Sequence, residues 1–109
     1  LIHAYTRRQA IRDGVLIDVS GVAEDMGFRY PVALTAGAWA SSKREGAWLR
    51  EMLGRLRTAA RSGRSDGPEV RFEVVSGEEA VEETVSLRAV CGPDDDGSPC
   101  VTVMLVGED

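Results

Sequence analysis

One segment of this chain has a long helical period, and it constrains the fold more than any other feature. Between residues 46 and 63, apolar side chains recur every three or four residues, as they do along one face of an α-helix. That face consists of Trp48, Leu49, Met52, Leu53, Leu56 and Ala60. Because such a face has to be buried, we predict an amphipathic helix over residues 47–61 that covers the core, with Gly63 placed to end it.

The other side of this predicted helix is basic. Four arginines recur along it, and we call them the arginine stripe: Arg50, Arg57, Arg61 and Arg64. Arginines on one helix face are typical of surfaces that bind nucleic-acid phosphates, so the stripe is a candidate nucleic-acid site. The same pattern fits a solvated or internally paired face, since no aromatic side chains alternate with these arginines to stack on bases.

Charge is distributed unevenly along the chain, whose net charge is −5. Residues 43–64 hold seven basic and two acidic side chains, whereas residues 65–109 hold twelve acidic and two basic ones. The acidic half either neutralises the helix from within or repels nucleic acid, and the overall sign argues against DNA and membrane surfaces as partners. Since no segment resembles a signal peptide or a membrane span, we expect a cytoplasmic protein.

The C-terminal half alternates apolar and polar side chains as strands do. Three such segments cover residues 70–74, 85–91 and 101–105, with loop-like sequence between them. We predict an α+β fold, a single domain over residues 1–109, in which a C-terminal antiparallel three-stranded sheet is packed by one long helix, with short N-terminal helices beside it.

Capping signals predict the short N-terminal helices. Their predicted caps are Thr6, paired with Gln9 in a capping box, then Ser20 and Thr35, and the first two helices are expected to stop at Gly14 and Gly27. The apolar run at residues 15–19 fits either a strand or a buried loop. Alternation over residues 28–34 indicates an extended segment, which Pro31 restricts to an edge strand or to no strand.

The last hairpin admits two registers, which the cysteines distinguish. Placing Cys91 opposite Cys100 permits a disulfide but turns the apolar side chains of the two strands to opposite faces. The other register, which we prefer, leaves both thiols free and puts Cys100 on the outer face of the sheet. It pairs Val85 with Leu105, Leu87 with Val103 and Ala89 with Val101.

Two further segments contain candidate binding residues. His3, Tyr5 and Arg7 open the first predicted helix, and this segment resembles the start of ADP-ribosyltransferase-like folds, which implies a nucleotide-using transferase. A helix start in which His3 and Tyr5 only pack and hydrogen-bond is the interpretation that we favour. The second segment, Asp94, Asp95 and Asp96, is similar to part of a calcium loop, but the ligand spacing of such loops is absent, which favours a solvated hairpin tip. We therefore assign no cofactor, no metal and no catalytic residue.

Several segments together carry a second resemblance. They are YTRRQAIRDGVLIDVS from Tyr5, GFRYPVALT from Gly27 with Trp39, RAVCGPDDDG from Arg88, and VTVML from Val101 with the closing GED. In this order they are similar to a family of small uncharacterised bacterial proteins often encoded on plasmids, integrated elements and phages. The resemblance implies an acidic protein of a mobile genetic element that binds a host or element-encoded protein.

These observations lead to one functional hypothesis and two alternatives. We predict a non-enzymatic interaction protein, a monomer or homodimer, that binds a protein partner through an acidic face. The first alternative is a nucleic-acid-binding module that uses the arginine stripe. The second is a nucleotide-using transferase built around the N-terminal segment.

Overall fold

The structure is a computed structural model that describes residues 6–41, 46–61, 69–76 and 83–108. Within these ranges the chain forms four helices and five strands. In chain order they are α1 (Arg7–Arg12), β1 (Leu16–Asp18), α2 (Ser20–Asp25), β2 (Val32–Thr35), α3 (Ala36–Ser41), α4 (Gly46–Arg61), β3 (Glu69–Ser76), β4 (Glu83–Pro93) and β5 (Pro99–Leu105). None of the described helices is long and apolar enough to cross a membrane.

The five strands form one mixed sheet in the order β1-β2-β5-β4-β3. β2 runs parallel to β5, and the other neighbouring strands are antiparallel. The α+β class and the antiparallel arrangement of the three C-terminal strands are thus confirmed. The prediction of a three-stranded sheet is incomplete, because two strands from the N-terminal half extend the sheet beyond β5.

β2 lies in the interior of this sheet, between β1 and β5. The prediction of an edge strand, or of no strand, around Pro31 is therefore wrong. The proline is accommodated because it precedes the strand, where its carbonyl accepts a hydrogen bond from the Val101 N–H at 2.8 Å and no N–H is required of it. Residues 32–34 have no exposed surface, so this short strand belongs to the core.

Two of the three predicted helix caps are confirmed. The Thr6 hydroxyl accepts the Gln9 N–H at 3.1 Å, while the Gln9 side chain accepts the Thr6 N–H at 3.0 Å, which completes the capping box of α1. The Thr35 hydroxyl accepts the Ala38 N–H at 3.1 Å at the start of α3. Gly14 follows α1 with φ of +79°, as expected for a residue that stops a helix.

Ser20 is the first residue of α2 and does not cap it, so the third prediction is wrong. Val19 occupies the cap position, without a side-chain hydrogen bond. The Ser20 hydroxyl donates to Asp18 Oδ1 and accepts the Val32 N–H at 3.1 Å, and it therefore joins α2 to β2. The helix stops where predicted, because Gly27 follows with φ of +92°.

The core lies between α4 and the sheet, as the helical period predicts. Met52 and Leu53 have no exposed surface, and Phe72, Leu87 and Val103 belong to the same buried cluster. Burying each large apolar side chain contributes about 1.5–3 kcal/mol. One part of the predicted face differs, because Ala60 is exposed, whereas its neighbour Ala59 packs against the cluster.

The hairpin formed by β4 and β5 keeps the predicted faces but not the predicted register. Its pairs include Leu87–Leu105, Ala89–Val103 and Cys91–Val101, two residues away from the predicted pairing. A shift of two residues leaves each side chain on the same face. The turn explains the shift, since the Gly97 N–H donates to the Asp94 carbonyl at 2.9 Å and Gly97 has φ of +87°. This register places the glycine at the left-handed position of the tight turn.

The two free cysteines lie in contrasting environments. Cys91 is exposed, whereas Cys100 is only 3% exposed, although it lies on the sheet face opposite the α4 core. Cys100 thus lies on the predicted face, and it is covered there because the start of α1 lies against β5. Burial raises the pKa of the Cys100 thiol above its ordinary value of 9.0, and the nearby Arg7 charge opposes the shift.

Candidate functional site

A concave site forms where the start of α1, the junction of β1 with α2, and the tip of the β4–β5 hairpin meet. We call it the hairpin cleft, and its volume is about 300 Å³. Its lining consists of Arg7, Arg8, Ile11, Asp18, Ser20, Pro31, Asp94, Asp95 and Asp96. Four carboxylates and two guanidinium groups therefore share this cleft, which brings together the start of α1 and the aspartates of the hairpin tip.

Asp95 joins the hairpin tip to α1. Its Oδ1 accepts the Arg7 N–H at 2.8 Å and its Oδ2 accepts the Arg8 N–H at 3.1 Å. These N–H groups have no partner within the helix, and a carboxylate satisfies them while complementing the positive end of the helix. Asp95 is one of the predicted binding residues. Both of its carboxylate oxygens are thus used to hold the hairpin tip against α1.

Arg7 is engaged in a similar way on the other side of the same contact. Its Nη1 donates to Thr102 Oγ1 at 2.6 Å, and its Nη2 donates to the Val101 carbonyl at 2.8 Å. Both acceptors belong to β5, so the side chain fastens α1 to the centre of the sheet. Arg7 thus has a structural role.

The other carboxylates of the cleft are held by local hydrogen bonds. Asp18 Oδ1 accepts the Ser20 N–H at 3.0 Å, and Asp94 Oδ1 accepts the Asp95 N–H at 2.7 Å. The second oxygens of Asp18 and Asp94 accept no hydrogen bond from any residue that the structure describes. These two side chains are therefore fixed in position and still able to accept donors from a ligand.

Asp96 is an exposed part of this acidic lining. Its Oδ1 accepts the Ser98 N–H at 2.9 Å. Hydrogen bonds from the backbone and then the hydroxyl of Ser98 lower the pKa of Asp96 below its ordinary value of 3.8. The carboxylate is therefore ionised throughout the neutral and mildly acidic range. Within the described part of the chain, no group of three or more acidic, His or Cys side chains has a geometry that fits a metal ion.

Three residues of the arginine stripe, Arg50, Arg57 and Arg61, are exposed on α4. Arg57 has an internal contact, since its Nη1 donates to the Met26 carbonyl at 2.8 Å and its guanidinium lies over Gly27. A cation at this point complements the carbonyl end of α2. Three of the predicted binding residues, His3, Tyr5 and Arg64, lie outside the described residues.

A second concavity, which we call the α4–β3 groove, runs between the long helix and the end of the sheet. Its volume is about 1030 Å³. Its lining consists of Glu51, Gly54, Arg55, Thr58, Ala59, Arg71, Phe72 and Glu73. Small side chains of α4 make up part of this wall. Arg71, Phe72 and Glu73 of β3 form another part, so the groove lies directly beside the strand at the end of the sheet order.

Sequence reasoning missed Arg8, Asp18 and Ser20 as residues of the hairpin cleft. A local signal exists for the last two, because an aspartate two residues before a serine commonly accepts its N–H. No local signal places the hairpin tip at α1, since the Arg7–Asp95 hydrogen bond joins residues 88 positions apart.

Comparison with known proteins adds no identity to this geometry. No family model, no curated protein and no solved structure matches the chain.

Proposed function

We propose that this chain is a non-enzymatic interaction protein whose hairpin cleft binds a basic segment of a protein partner. The main support for this proposal is that some charged groups of the cleft are used in internal contacts while others still have an acceptor oxygen available. Arg7 and Asp95 are taken up by contacts inside the protein, whereas Asp18 and Asp94 each keep one carboxylate oxygen that no described residue occupies. The acceptors that remain suit a guanidinium or ammonium group.

The size and stiffness of the cleft support this kind of ligand. Its volume of about 300 Å³ lies at the lower limit of small-molecule sites and accommodates one long side chain. Its carboxylates are held by backbone N–H groups before a ligand arrives, so binding a cationic side chain orders few protein groups. The resemblance to proteins of mobile elements supports a host or element-encoded protein as the partner.

The test is the affinity for a fluorescent arginine-rich peptide. We expect Asp18→Asn combined with Asp94→Asn to weaken binding about tenfold, because each change removes a charge while the amide oxygen keeps the local hydrogen bond. The matched control is Glu24→Gln combined with Asp25→Asn, which removes the same charge from exposed positions of α2 outside the cleft lining. This control should change the affinity less than about twofold.

Three results would contradict the proposal. Equal weakening by both double variants would show attraction to net charge rather than to the cleft. Turnover of a nicotinamide nucleotide by the purified chain would support the transferase alternative. Salt-dependent binding of single-stranded RNA that is lost on Arg50→Glu and Arg61→Glu would support the nucleic-acid alternative, since both side chains are exposed on α4.

A further inference from the structure

β3 leaves one of its edges without a neighbouring strand among the described residues. The Val106 N–H donates to the Ser86 carbonyl, so the even-numbered backbone groups of β4 point toward β5 and the odd-numbered ones toward β3. In the observed register, Phe72 lies opposite Leu87 and therefore directs its backbone groups to β4. The N–H and C=O groups of Arg71 and Glu73 point the other way, toward the open edge.

The sequence of β3 is self-complementary about Phe72. If a second β3 runs antiparallel with Phe72 opposite Phe72, Arg71 lies opposite Glu73 on both sides of the two-fold axis, and Val70 lies opposite Val74. The apolar pairs then occupy the face toward α4, and the charged pairs occupy the other face. Opposite charges in directly facing positions stabilise paired strands.

Neighbouring registers lack this complementarity. Moving the two-fold axis to Arg71 places arginine opposite arginine and Glu69 opposite Glu73, and moving it to Glu73 places glutamate opposite glutamate. A shift by a single position between the strands turns the apolar side chains of the second copy to the wrong face. Of the registers with the axis at Arg71, Phe72 or Glu73, only the one at Phe72 therefore places opposite charges in both facing pairs.

The charges on β3 are incompletely matched within a single chain. Arg71 lies opposite Arg88 on β4, an unfavourable pairing of like charges. Glu69 lies near both arginines, with Oε1 at 3.7 Å from Arg71 Nε and 3.2 Å from Arg88 Nη1. Glu73 is exposed and forms no ion pair with a residue that the structure describes. A second β3 supplies Arg71 with a carboxylate and Glu73 with a guanidinium group.

We propose that two copies of this chain form a homodimer by antiparallel pairing of β3 with β3 across a two-fold axis at Phe72. The pairing joins the two five-stranded sheets into one continuous sheet and satisfies the backbone groups of Arg71 and Glu73. With the axis perpendicular to the sheet, both α4 helices lie on the same face. Gly54, Thr58 and Ala59 line the α4–β3 groove and let the second copy approach closely.

The test is a charge exchange followed by sedimentation equilibrium over a range of protein concentrations. We expect the unaltered chain to dimerise, and either Arg71→Glu or Glu73→Arg alone to raise the dimer dissociation constant roughly tenfold or more, because both facing pairs become like-charged. Combining the two substitutions restores opposite charges in both pairs and should restore the dimer. Both residues are exposed, so circular dichroism of each variant should match the unaltered chain.

Amide hydrogen exchange gives an independent measurement. The amides of Arg71 and Glu73 should become protected as concentration rises, while those of Val70 and Phe72, bonded to β4, should be protected at all concentrations. A chain that stays monomeric, a dimer unaffected by the single substitutions, or a double variant that fails to recover dimerisation would each overturn the proposal. None of these results bears on peptide binding at the hairpin cleft, which lies on other elements.

Discussion

At the scale of single residues, the environment set by strand position gives two identical side chains different chemistry. Cys91 and Cys100 lie on facing strands of one hairpin, yet one is exposed and the other is buried on the α1 side of the sheet. The sequence predicts that they lie on different faces, because alternation along each strand determines it. It does not predict the burial of Cys100, which depends on where α1 lies.

This contrast predicts selective thiol modification. At pH 8 we expect iodoacetamide to label Cys91 readily and Cys100 very slowly, because the Cys100 thiol is both covered and shifted to a higher pKa. Peptide mass spectrometry after a timed reaction measures both rates, and unfolding in urea should equalise them. Comparable labelling of the two thiols in the folded chain would show that α1 does not cover β5.

The raised pKa of Cys100 also makes the stability of the fold depend on pH in one direction. A thiol whose folded pKa is raised above its unfolded value stabilises the fold while protonated, and this contribution is lost as pH rises through the folded pKa. The loss therefore begins above pH 9.0 and is absent at neutral pH.

At the scale of elements, local patterns predict what is local. The α4 period, the alternation of three strands and the capping box of α1 are each set by residues within one segment, and the structure confirms them. The extended segment predicted over residues 28–34 contains β2, but Pro31 wrongly indicates an edge strand, because the proline precedes a strand whose two faces are both buried. The hairpin cleft is not predicted by local patterns because its parts are distant in sequence.

Because Asp95 contacts α1, its replacement should lower stability more than replacement of its neighbour Asp96. We expect Asp95→Ala to lower the free energy of unfolding by about 1–2 kcal/mol, because two backbone N–H groups of α1 lose their acceptor. Asp96→Ala removes only a bond within the turn and should lower the free energy of unfolding clearly less than Asp95→Ala does. Urea unfolding of the three proteins measures the differences, and equal effects would mean that Asp95 does not hold the hairpin.

At the scale of the whole molecule, both halves of the sequence share one core. β2 comes from the N-terminal half and pairs with β5 from the C-terminal half, and both contribute to the cluster beneath α4. We therefore expect the two halves to unfold together as one cooperative unit.

Cooperativity predicts coincident unfolding. Urea transitions followed by tryptophan fluorescence, which reports on Trp39 and Trp48, and by far-ultraviolet circular dichroism should superimpose. Leu34→Ala in β2 should lower the free energy of unfolding by about 2–5 kcal/mol and shift both signals together, because Leu34 is fully buried. Arg50→Ala, at an exposed position of α4, should change it by about 0.5 kcal/mol or less. Two separate transitions would contradict a shared core.

The parallel pairing of β2 with β5 has a consequence for synthesis in the cell. Leu34 faces Val103, so the nascent chain carries an apolar strand out of the ribosome well before the strand that will cover it has been translated. Until then the open side of β2 is accessible to chaperones and to mispairing with other chains. We therefore expect misfolding of this protein to be concentrated in the interval between translation of β2 and translation of β5.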